Sequence, residues 1–63
     1  MEYSELVEEA RTYSTKYDTQ VVVFYHLNKN FYDYTKKSMF EHRSICEPLV
    51  RMLLIMPNGT IVQ

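Results

Sequence analysis

Hydrophobic and polar positions alternate along this chain in two different rhythms. Between residues 3 and 17 the apolar side chains Tyr3, Leu6, Val7, Ala10, Tyr13 and Tyr17 recur at three- and four-residue steps. That spacing gathers them on one stripe of a helix. Glu2, Glu5, Glu8, Glu9, Arg11, Thr12 and Lys16 take the other side, with acids early and bases late, in the sense that complements the helix dipole. The stripe predicts that Tyr3, Tyr13 and Tyr17 contribute to the core, with hydroxyls reaching its rim.

From Thr19 to Leu27 the rhythm changes to a run rich in β-branched and aromatic residues, which predicts a strand. Asn28, Lys29 and Asn30 follow as a turn, since asparagine tolerates the left-handed backbone that tight turns need. Phe31–Thr35 returns as a second strand, with Phe31, Asp33 and Thr35 on one face and Tyr32 and Tyr34 on the other. Residues 36–47 carry no apolar stripe. Ser38 with Glu41 and Ser44 with Glu47 have capping-box spacing, so a turn or a short helix within 38–47 is expected before Pro48. Leu49–Met56 reads as a strand, and Pro57, Asn58 and Gly59 form the turn of a second hairpin ending on Ile61 and Val62. The expected fold is a single α+β domain, with an N-terminal helix packed on a small antiparallel sheet of two hairpins.

Two of these runs, Val21–Leu27 and Leu49–Met56, are apolar almost without interruption. A half-buried strand alternates, whereas an unbroken run is covered on both faces. The helix supplies one cover. A chain of 63 residues buries only about 60% of the surface its unfolded form exposes, so the second sheet face is expected to lie open and to be covered by a second copy or by another protein. The one cysteine, Cys46, excludes an internal disulfide and leaves oligomerisation as the means of reinforcing so small a core.

Composition adds little to this. One glycine and two prolines exclude a linker or a collagen-like segment, and the longest apolar runs are far short of the roughly 20 residues of a membrane span. The acidic, amphipathic start is unlike a secretory signal, and with the lone cysteine it suits a cytoplasmic setting. Net charge is −1 overall, with an excess of three acids in residues 1–18 and of two bases in residues 19–45.

Candidate chemistry is thin. His42 and Cys46 are four residues apart, yet a thiolate nucleophile needs an orienting group and an oxyanion site that nothing in the sequence supplies. His26, His42, Cys46 and Glu47 lack the paired spacing of a structural zinc site, and the acids of the first helix read as a solvated face. No metal, cofactor, small-molecule substrate or catalytic role is therefore expected. Residues 24–43 interleave Phe24, Tyr25, Phe31, Tyr32, Tyr34 and Phe40 with Lys29, Lys36, Lys37 and Arg43. Such a mixture can stack bases and hold phosphates, but tyrosine and arginine are equally the residues that anchor protein interfaces. The slightly acidic balance favours the second reading. The sequence thus predicts a protein-binding module, acting as a homodimer or as an accessory regulator or inhibitor of a larger protein. Its contacts would come from Tyr25, Tyr32, Tyr34, Arg51, Thr60 and Val62, with Thr60–Val62 as an edge strand open to pairing. Nucleic-acid binding through Lys29, Lys36, Lys37 and Arg43 is the alternative. Size alone suggests a comparison with the small accessory proteins of phages and other mobile elements.

Overall fold

The computed structural model describes residues 2–63. Helix α1 spans Tyr3–Lys16, and four strands follow: β1 Val21–His26, β2 Phe31–Lys36, β3 Leu49–Ile55 and β4 Ile61–Val62. A second helix, α2, spans Lys37–Cys46 between β2 and β3. The sheet is antiparallel throughout, in the order β2-β1-β3-β4. The two long apolar runs are therefore its central strands, and β2 and β4 are its edges. Because β1 is antiparallel to both β2 and β3, those two strands run the same way, and α2 is the crossover that carries the chain from one to the other past β1.

Helix α1 buries Leu6, Ala10 and Ser14, spaced at four-residue intervals, against Val21, Val23, Leu53 and Ile55. Val7, Tyr13 and Tyr34 pack around that cluster. The stripe is narrower than its apolar residues suggest: Tyr3 is 37% and Tyr17 54% exposed, so neither is a core residue. The inner position after Ala10 belongs instead to Ser14, fully buried, whose hydroxyl donates to the Thr19 carbonyl at 2.7 Å. The Thr19 N–H returns to the Ser14 carbonyl and the Asp18 N–H to Thr15, with Asp18 in the left-handed region at φ 48. This is the paired bonding that closes a helix C-terminus and turns the chain into β1.

Both hairpins form where the turn residues place them. Asn30 has φ 54 and its N–H reaches the His26 carbonyl at 2.8 Å. Gly59 has φ 90, a conformation that strains any side chain, and its N–H reaches the Met56 carbonyl.

The second sheet face is where the structure departs from the expectation of an open surface. Val22, Phe24 and His26, which alternate with the α1-facing residues of β1, are also buried. Their cover is α2. Phe40 packs against Phe24 with ring centroids 5.7 Å apart, and the Arg43 guanidinium lies 5.1 Å from the Phe24 ring centre. The chain thus covers both faces of β1 itself, in three thin layers. The reason is economy of length: α2 needs only ten residues, and none of its own side chains is fully buried. Its cover ends there. Neither helix touches β4, which packs on β3 alone.

Candidate functional site

Three places collect the side chains that could act on something outside the chain, and each is set by how far the helices reach.

The first is the seam between α2 and the sheet. His26 is 3% exposed, and its Nε2 donates to Glu47 Oε1 at 3.3 Å, while Nδ1 is buried with no partner. Arg43 grips the same carboxylate from two nitrogens, Nε to Oε2 at 3.0 Å and Nη2 to Oε1 at 3.3 Å. The Phe31 ring stacks on the imidazole at 5.6 Å and 13°. The hydrogen bond from Arg43 holds the Glu47 carboxyl below its usual range, with a further lowering from His26, and Glu47 in turn raises Arg43. This triad fastens the C-terminal end of α2 to β1. The imidazole at its centre is enclosed rather than open to solvent. Cys46 and His42 are both exposed at the outer end of α2. Among the described residues, no group of three or more histidine, cysteine, aspartate or glutamate side chains could hold a metal ion.

The sign of the resulting pH effect follows from the Glu47 shift. A carboxyl lowered in the folded state contributes stability that is present above its unfolded value, near 4.5, and lost as the pH falls through the lower folded one. Wild-type protein is accordingly expected to lose α2 docking on acidification below about pH 4.5. Glu47→Gln, already uncharged, should show a flatter melting-temperature profile there. Equal acid slopes for the two proteins would remove Glu47 as the cause.

The second place is the tyrosine cluster on the α1 side of β2. Tyr32 packs against Tyr3 at 4.8 Å and Tyr25 at 4.9 Å, and Tyr34 packs against Tyr13 at 5.8 Å. The Tyr25 hydroxyl donates to Asn30 and the Tyr34 hydroxyl to Glu9 at 2.9 Å. Burial, then the bond to Glu9, pushes the Tyr34 phenol up to about 12. Tyr25, Tyr32 and Tyr34 therefore share one face, but Tyr34 and Tyr25 are half-buried and spend their hydroxyls within the chain. Tyr32, 42% exposed, presents the most surface of the three. The cations do not join them in one patch. Lys29 is in the β1–β2 turn, Lys36 and Lys37 lie at the opposite end of β2, and Arg43 is committed to Glu47 and Phe24.

The third place is β4 with the exposed positions of β3, where the cover from the helices thins. Val50, Met52, Ile61 and Val62 are each 37–42% exposed there, and Arg51 and Thr60 are exposed beside them. Cross-strand pairing fixes their faces. Val50 is opposite Tyr25 and Ile61 opposite Ile55, on the α1 side, whereas Arg51 is opposite Phe24 and Val62 opposite Leu54, on the α2 side. Ile61 and Val62 thus expose one apolar side chain on each face beside residues 54 and 55, while Val50 lies toward the other end of β3. Met52 is the extra residue where the β1–β3 register shifts, a bulge that twists the strand. Thr60 spends its backbone inward, receiving the Met56 N–H and donating to Asn58 Oδ1, so only Ile61 of β4 turns backbone groups outward. Sequence reasoning singled out Arg51, Thr60 and Val62 here and missed Val50, Met52 and Ile61. Their exposure depends on how far α1 and α2 reach across β3, which an apolar run in the sequence does not record.

A surface depression of about 580 Å³ between Asp18–Gln20, the start of α2 and Met56–Pro57 is lined by no histidine or cysteine. Among the described residues, no helix is long and apolar enough to cross a membrane. Compared with family models, with curated proteins and with solved structures, the chain matches none.

Proposed function

We propose that this chain is a protein-binding module that works without catalysis, and that its first partner is a second copy of itself, joined through the β3–β4 hairpin. One observation carries the reading: β4 packs on β3 and on neither helix, and exposes Ile61 and Val62 at the sheet edge, with Met52 and Val50 exposed further along β3. Elsewhere on the sheet the apolar residues of the central strand are covered. Each Å² of apolar surface removed from water gains about 25 cal/mol, and Ile61 and Val62 offer that gain on opposite faces of the edge strand. The contacts would come from side chains, with Arg51 supplying the charged anchor, since the hairpin has few free backbone groups to share. The same surface would serve a regulator or inhibitor that caps a larger protein, in a cytoplasmic setting.

The test is the solution mass by light scattering at several concentrations, for wild type and for Ile61→Asp with Val62→Asp. Wild type should be a dimer insensitive to salt. The double variant should be a folded monomer. Losing even one well-buried aliphatic contact of about 1.5–3 kcal/mol weakens association roughly ten- to a hundredfold. A wild-type protein that remains monomeric at every concentration would overturn self-association, and an unchanged dimer in the double variant would overturn the hairpin as its interface.

A further inference from the structure

A sheet with two free edges can polymerise, because any open strand is a template for another. Strand β2 is the longer edge here, six residues with no strand on its outer side. The Lys37 N–H donates to the Gln20 carbonyl, which continues the β1–β2 register and fixes the alternation. Residues 31, 33 and 35 turn their backbone groups toward β1, and Tyr32, Tyr34 and Lys36 turn theirs outward. An added strand would bond to these three.

Two of the three have one of their two groups already engaged. The Tyr34 N–H, the donor at the middle of the edge, is bound by Asp33 Oδ1 at 2.8 Å. Lys36 is the N-cap of α2, which starts at the next residue, so the chain leaves the sheet plane there and the Lys36 carbonyl serves the first helical turn. Only Tyr32 keeps both outward groups available.

We propose that Asp33 is an edge guard: by accepting its neighbour's N–H it denies β2 to other strands and keeps copies of this chain from adding edge to edge. The partner it excludes is an extended strand, above all β2 of a second copy. The guard is independent of the β3–β4 surface. A chain that paired through one edge and stuck through the other would grow open-ended assemblies, whereas one blocked edge restricts association to closed pairs.

The chemistry distinguishes the carboxylate's charge from its role as an acceptor. Asp33→Asn removes the charge and retains an oxygen that can accept the Tyr34 N–H, whereas Asp33→Val removes both and favours the strand. All variants are made in the Ile61→Asp, Val62→Asp background, so that hairpin association does not contribute. Amide exchange at Tyr34 is read by NMR, and mass by light scattering across concentration. In the Asp33→Val variant, at dilutions where it is monomeric, the Tyr34 amide should exchange about tenfold faster, the loss of one hydrogen bond of about 1.4 kcal/mol. Its mass should also climb with concentration, while Asp33→Asn matches the background on both readouts. Asp33→Ala gives the same loss without added bulk if the valine disturbs packing on the α2 side. The proposal is overturned if Tyr34 exchange is unchanged without the carboxylate, if the valine and alanine variants stay monomeric, or if Asp33→Asn associates as they do.

Discussion

Phe24→Ala is expected to leave this protein unfolded at room temperature, or so near it that no cooperative melt remains. Phe24 is fully buried, with its ring between Phe40 and Arg43 of α2 on one face of the sheet. Truncating a buried phenylalanine costs about 3–5 kcal/mol, from lost transfer energy and the cavity left behind. Ordinary domains hold about 0.05–0.15 kcal/mol per residue, so a chain of 63 residues has about 3–9 kcal/mol in total, and this loss removes half of it or more. The loss is not confined to β1. No side chain of α2 is fully buried, and Phe40 would lose the ring it packs on, so the helix should detach as the core fails. Circular dichroism and a urea titration check this. A variant that melts cooperatively within about 1 kcal/mol of wild type would show that α2 contributes little cover.

Val22→Asp and Leu54→Asp are expected to part company. The two residues face each other across β1 and β3 on the α2 side, and from the sequence they are equivalent. In the structure Val22 is 2% exposed and Leu54 is half-buried at the margin of what α2 covers. A carboxylate at position 22 would be desolvated with no cation built to meet it, a cost of several kcal/mol that the small core cannot absorb. At position 54 the new carboxylate can reach water beside Val62. The first variant should be unfolded by circular dichroism, and the second should keep its secondary structure while losing self-association by light scattering. If both fold equally well, α2 is not the cover of Val22. If both fail equally, its cover extends further toward β4 than the structure has it.

That contrast also shows which parts of the molecule the sequence makes legible. Periodicity is a record of burial, so α1, β1 and β3 could be read from it, as could turns that need Asn30 and Gly59 in left-handed backbone. Helix α2 left no such record. Its inward positions are Phe40, Arg43 and, just beyond its end, Glu47, so only one is apolar. An arginine stem and an ion pair do what a hydrophobic stripe does elsewhere. The capping-box spacing at Ser38 pointed to the right neighbourhood, but the helix starts at Lys37, directly from the last residue of β2. Because α2 was not visible as a cover, the α2 side of the sheet read as open. The edge strand Thr60–Val62 is legible from the short run after Gly59, whereas the exposure of Val50 and Met52 follows from how far the helices reach. Asp33 was legible as a residue on a face, but its bond to Tyr34 depends on which way alternate backbone groups point, and a side-chain pattern carries no record of that.

The crossover has a temporal side as well. Val21, Val22, Val23 and Phe24 form an uncharged, strand-favouring run, without glycine or proline, of the kind that drives cross-strand aggregation when exposed. In the finished protein both of its faces and both of its edges are occupied. Of its four neighbours, α1 is translated before it and β2 soon after, but α2 and β3 only arrive with residues 37–55. During synthesis the most adhesive segment of the chain is thus half-dressed until its last third has been made. Yield from a living cell is then governed by how long that interval lasts as well as by the stability of the folded product.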